Sequence, residues 1–174
     1  MGVVKEESMA VLLLPGALEG FEREEHARSL LSIPRVVALE ASARRAPSWL
    51  RHAAPIRQAR RLQLPGRLRM VILYHPAQYP LAIALSGRHD EAELWYLPPD
   101  RSSVSGHNAE ETRELLLSDS LARDRSTRTL AETPAVGSYD DPLRLRLREL
   151  DVINARAFVP AARFSRVGRR SEGL

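Results

Sequence analysis

The run Met70-Val71-Ile72-Leu73-Tyr74 limits what this chain can fold into more than any other stretch. Five consecutive apolar or aromatic residues, with no polar alternation, demand cover on both faces. That is the pattern of an interior strand in a parallel sheet, not of a strand with one wet face. His75-Pro76 ends the run, because proline has no N–H to give to a central ladder. Three further runs read as strands. Ala10-Val11-Leu12-Leu13-Leu14 stops at Pro15-Gly16, Val36-Val37-Ala38-Leu39 stops at Glu40, and Glu93-Leu94-Trp95-Tyr96-Leu97 stops at Pro98-Pro99-Asp100.

The segments between them have helical spacing. Glu22 to Ser32 places Ala27, Leu30, Leu31 and Ile33 among charges, and Pro34 stops it. A strand, a helix and a strand within about thirty residues is the size of a right-handed βαβ unit. Pro47 to Gln63 reads as helical, with Pro55 splitting it into two short helices or kinking one. Gln78 to Gly87 is a short helix with Leu81, Ala84 and Leu85 inward and Gly87 as C-cap. Ala109 to Leu115 continues the series, and Leu115-Leu116-Leu117 ends that helix or begins a strand. Ser118-Asp119 reads as the cap of another short helix through Ala122. Thr127 to Tyr139 reads as a loop. Asp141-Pro142 starts a helix with Leu143, Leu147, Leu150 and Ile153 on one face and Arg144, Arg148 and Asp151 outside. Ala157-Phe158-Val159 reads as a last strand. The predicted fold class is α/β, a three-layer Rossmann-like domain with a mostly parallel sheet of four to six strands. Its predicted organisation is an N-terminal extension over 1–8, a single domain over 9–162 and a flexible tail over 163–174.

At 174 residues and 44% hydrophobic content the chain is sized and composed as one globular domain. It has no cysteine, which excludes disulfides, thiolate metal sites and a cysteine nucleophile. No apolar run approaches a membrane span, so the expectation is a cytoplasmic protein, peripheral to a membrane at most. The net charge of +4 is unevenly spread. Residues 41–89 carry nine arginines and no Asp or Glu, whereas residues 1–40 carry four basic and seven acidic groups. Such a field admits an anionic partner. In 44–69, Trp49-Leu50 and Leu62-Gln63-Leu64 lie among arginines, which suits a non-enzymatic module docking an anionic membrane surface. The plain alternative is an amphipathic helix whose apolar side packs on the sheet. Only 5% of residues are aromatic, and no reader motif is present, which argues against nucleic acid.

In an open parallel sheet the ligand crevice lies at the carboxyl ends of the strands. His75 sits there. A neutral imidazole in that place serves as general base or as a hydrogen-bond partner for a sugar hydroxyl or phosphate, so His75 is the catalytic candidate. The strand ends also supply Gly16, Gly20, Gln78, Tyr79, Asp100 and Asp119 as candidate substrate-binding residues. The Gly16–Gly20 spacing fits neither the dinucleotide fingerprint nor the P-loop, but a Gly-rich turn before a helix offers N–H groups to an anion. Glu40 is a further position able to accept from a sugar hydroxyl. His26, His52 and His89 read as isolated on helices or turns, Asp140-Asp141 reads as a turn and a cap, and no metal-spaced ligand set or cofactor motif is present.

The order of these parts resembles the N-terminal, acceptor-binding domain of bacterial GT-B-fold glycosyltransferases. The resemblance rests on Arg35-Val36-Val37-Ala38-Leu39-Glu40, Val71-Ile72-Leu73-Tyr74-His75-Pro76 with Leu81-Ala82, Ala92-Glu93-Leu94-Trp95-Tyr96 with Asp100, and Leu117-Ser118-Asp119-Ser120-Leu121-Ala122. It spans roughly residues 10–125. It implies that His75 and the loop around Asp100 border the acceptor side of a cleft, with a nucleotide-sugar or glycan acceptor as ligand. Residues 126–174 are too few for the sugar-nucleotide domain of that family. Transferase activity would therefore require a second domain or a homo-oligomeric partner.

Overall fold

A computed structural model describes residues 7–15, 23–40, 53–99, 104, 106, 108–131 and 140–153. Strands β1 (Ser8–Leu14), β2 (Val36–Glu40), β3 (Arg67–Leu73), β4 (Glu93–Tyr96) and β5 (Arg128–Thr129) form one sheet in the order β2-β1-β3-β4-β5. Every pairing among them is parallel.

The apolar runs explain the layering. Side chains alternate across a strand, so Ala10, Leu12, Leu14, Met70, Ile72 and Tyr74 fill one face, and Val11, Leu13, Val71 and Leu73 the other. The first face is closed by α1 (Glu24–Leu31) and α5 (Pro142–Glu149) through Ala27, Leu30, Leu143 and Leu147. The second is closed by α2 (Ala53–Arg61), α3 (Tyr79–Ser86) and α4 (Ala109–Arg125) through Ala59, Leu81, Leu85 and Ala122. Fully burying each such leucine contributes about 2 kcal/mol. The result is a three-layer Rossmann-like α/β fold. The order 2-1-3-4-5 is that of flavodoxin-like sheets, in which the winding direction reverses between β1 and β3.

Local chemistry sets the element ends. The Asp141 carboxylate accepts from the Leu143 N–H at 3.0 Å, and Pro142 occupies the first turn, where its missing N–H costs nothing. Helix α5 closes with Asp151 in the left-handed region (φ 62°), Asp151 N–H on the Arg148 carbonyl and Val152 N–H on that of Leu147. That bond pair is a Schellman motif, and Leu147 and Val152 share one apolar cluster beneath it. Gly66 is required by crowding: a Cβ there would lie 2.2 Å from the Glu7 carbonyl oxygen, which accepts from Arg67 N–H at 2.8 Å.

Several expectations are corrected. Arg128–Thr129, read as loop, forms the edge strand β5, because its N–H and C=O groups pair with β4 although it lacks an apolar pattern. Ser118-Asp119 does not cap a separate helix. α4 runs through it without interruption and is capped by Asn108, whose side chain accepts from Glu111 N–H at 2.8 Å. The reading of Pro47 to Gln63 as two short helices or one kinked at Pro55 is described only in its second part, a helix over Ala53–Arg61. Pro55 lies in the first turn of that helix, and residues 47–52 are outside the described part. Gly87 does cap α3, but in a right-handed conformation (φ −69°) rather than a left-handed one. On α3, Leu81 and Leu85 face inward as expected, Ala84 packs partly buried against the same cluster, and Ala82 is fully buried beside them. Ala157-Phe158-Val159 lies outside the described residues.

Candidate functional site at the carboxyl edge of the sheet

β1 and β3 are adjacent, with Leu13 opposite Leu73, so the residues that follow β3 stand at the point where the winding reverses. Those residues are Tyr74, His75 and the 3-10 turn Pro76–Gln78, which leads directly into α3. Helix α4 packs against this turn.

His75 is extended (φ −134°, ψ 135°) and half-buried, and its Nδ1 accepts from Ala77 N–H at 3.2 Å. Burial lowers its pKa below the usual 6.5, so the ring is neutral at pH 7. A neutral imidazole whose Nδ1 accepts carries its proton on Nε2. The group His75 can turn outward is therefore an N–H donor rather than a basic nitrogen.

Gln78, three residues further on, donates its backbone N–H to the His75 carbonyl at 3.1 Å. The residue is 2% exposed, and among the described residues its Oε1 has no hydrogen-bond partner. A buried acceptor left empty is unusual, because the loss of water hydrogen bonds is not repaid. Tyr79 opens α3 half-buried, and burial raises its phenol pKa, with Arg125 opposing and Asp124 adding.

Asp119 comes to the same region from the middle of α4, but its carboxylate is already engaged. Tyr96 Oη donates to Oδ1 at 2.6 Å and Arg123 Nε to Oδ2 at 2.8 Å, with the Arg123 guanidinium 5.9 Å from the Tyr96 ring centre. Burial first, and then the bond to Asp119, raise the Tyr96 phenol far above its ordinary value. This arrangement locks α4 onto the end of β4. Thus His75, Gln78 and Tyr79 share one turn, and Asp119 stands on the helix packed against it. Gly16, Gly20 and Asp100 lie outside the described residues. Glu40 ends β2 exposed, and its carbonyl accepts from Gln58 Nε2 at 2.7 Å.

On the opposite face the sequence reading missed a buried polar chain. His26 is not isolated: its Nδ1 is 2.8 Å from Tyr74 Oη, and its Nε2 is 3.5 Å from Asp141 Oδ2. All three are at most 2% exposed. Arg144 Nε stands 3.7 Å from the same carboxylate oxygen, and Arg23 donates to the Pro98 carbonyl. Burial raises the Tyr74 phenol far above its ordinary value, opposed by Arg23 and reinforced by Asp141. The chain joins α1, the end of β3 and the start of α5. One signal was available. His26 precedes Leu30 by four and Ile33 by seven, which puts it in the apolar stripe of α1 rather than on its wet side.

Among the described residues no three His, Asp or Glu side chains are placed to hold a metal ion, and no helix is long and apolar enough to cross a membrane. Compared with known protein families, curated proteins and solved structures, the chain matches none.

Proposed function

We propose that this domain binds a sugar or similarly hydroxylated acceptor at the carboxyl end of β3, as the acceptor-side part of a glycosyltransferase-like enzyme that requires a partner domain. The observation that carries the reading is the turn after β3, which sets neutral His75 and the unpaired Gln78 Oε1 together beside the point where the winding reverses. A carbonyl oxygen only accepts, so it pairs with a donor, and a hydroxyl is a neutral donor that polar acceptors offer. His75 supplies the complementary group. Its Nε2–H donates to a ligand oxygen, while the Ala77 N–H fixes the ring. An acceptor–donor pair one turn apart suits adjacent hydroxyls, each of which donates and accepts. His75 thereby orients the acceptor, and removal of the hydroxyl proton falls to a group outside this turn.

Ligand-observed NMR against a panel of glycans and nucleotide sugars tests the reading. The expected result is binding by the wild-type domain that weakens about tenfold in His75→Ala, the equivalent of one lost hydrogen bond. Equal binding by the variant removes this turn as the site, and binding of no hydroxylated ligand removes the function.

A further inference from the structure

The side of the molecule formed by α2 and α3 has a composition that the acceptor site does not explain. The two helices pack together, and the Arg88 guanidinium just after α3 donates to the Ala59 carbonyl of α2. Their inward residues, Pro55, Ala59, Leu81, Ala82 and Leu85, are buried. Their outward residues include Ile56, 46% exposed, and Ile83, 39% exposed, with Arg57, Arg60 and Arg61 also exposed. Ile56 and Arg60 are four residues apart, as are Arg57 and Arg61, which puts each pair on one side of α2. Neither helix contains an Asp or Glu. Among the described residues none of these three arginines has a carboxylate partner, whereas Arg67 and Arg69 are both held by Glu91.

We propose that the α2–α3 face docks on an anionic lipid bilayer. Three uncompensated guanidinium groups match lipid phosphates and serine headgroup carboxylates, and the two isoleucines partition into the acyl boundary beneath them. A bilayer with anionic headgroups engages both features together. Nucleic acid employs the arginines but gains nothing from exposed isoleucines. The other exposed leucines, Leu116, Leu117 and Leu121 on α4, do not extend this face to lipid. Glu110, Glu111, Glu114 and Asp124 accompany them. This docking is independent of the acceptor site.

Vesicle co-sedimentation of the full chain decides it, with phosphatidylcholine alone and with added phosphatidylserine. Binding is expected only to the anionic vesicles and is expected to fall with salt as screening shortens. Arg57→Ala, Arg60→Ala and Arg61→Ala together should lower the partition constant about a hundredfold, at roughly fivefold per arginine. Ile56→Ser with Ile83→Ser should weaken binding while leaving its salt dependence. Circular dichroism checks that each variant keeps the fold, and because all five side chains are exposed they can be replaced without opening the core. Equal binding to both vesicle types overturns the proposal, as does undiminished binding by the arginine variant. Retention on single-stranded DNA with no vesicle binding also overturns it.

Discussion

Gln78→Met separates a ligand-binding glutamine from a structural one. Methionine keeps the length and apolar stem of the side chain and removes both polar atoms. The oxygen is buried and unpaired in a residue 2% exposed, so deleting it should recover about 1–3 kcal/mol of desolvation. Among the described residues the amide nitrogen makes no hydrogen bond that the substitution would remove. The stability change is therefore a gain of about 1–3 kcal/mol. For a chain of this size, that corresponds to a Tm raised by roughly 2–12 °C. Binding of a hydroxylated ligand should meanwhile weaken about tenfold or more, since the acceptor has gone. Thermal melts with and without ligand measure both effects. Wild-type protein should gain Tm on addition of ligand, and the variant should begin higher and gain little. A fall of several degrees in the unliganded variant would show that Gln78 holds the turn together, and the reasoning from an empty acceptor would fail.

Further outcomes follow from the buried polar groups and the helix ends. Tyr74→Phe should cost about 1–3 kcal/mol in urea melts, because it leaves His26 Nδ1 buried without its hydroxyl partner. Tyr96→Phe should cost less, since Arg123 still occupies Asp119. Burial lowers the His75 pKa below 6.5, so the folded state binds its proton less readily than the unfolded chain does. His75 should therefore lower stability as pH falls from 6.5 toward its folded pKa, and His75→Ala should flatten that part of a stability-against-pH curve. The hydrogen bond from Arg146 is the largest cause of a lowered Glu93 pKa, so that pair's stability is present above pH 4.5 and lost as pH falls through the folded value. Asp151→Gly should add about 0.5–1 kcal/mol in thermal melts, because glycine takes the left-handed position at the end of α5 without a Cβ clash. A destabilised Asp151→Gly would show that the aspartate side chain outweighs the strain.

The sequence by itself determined the two-sided burial of β1 and β3 and the α/β layering. Continuous apolar runs such as Val11–Leu14 and Met70–Leu73 can be satisfied only between helical layers, and their residues are in fact fully or nearly fully buried. Local chemistry written in neighbouring residues was legible as well, and Asp141-Pro142 does begin α5. Tertiary structure alone decided the rest. Arg128–Thr129 is a strand only because β4 offers it a free edge, and α4 continues through Ser118-Asp119 because Asp119 finds Tyr96 and Ala122 finds the core. The His26, Tyr74 and Asp141 chain unites residues far apart in sequence, and each has an ordinary local explanation when read alone. The candidate site divides in the same way. The position of His75 followed from where an apolar run stops. Its tautomer and the empty oxygen of Gln78 could not be read beforehand, because whether a buried polar atom is satisfied depends on every element packed around it.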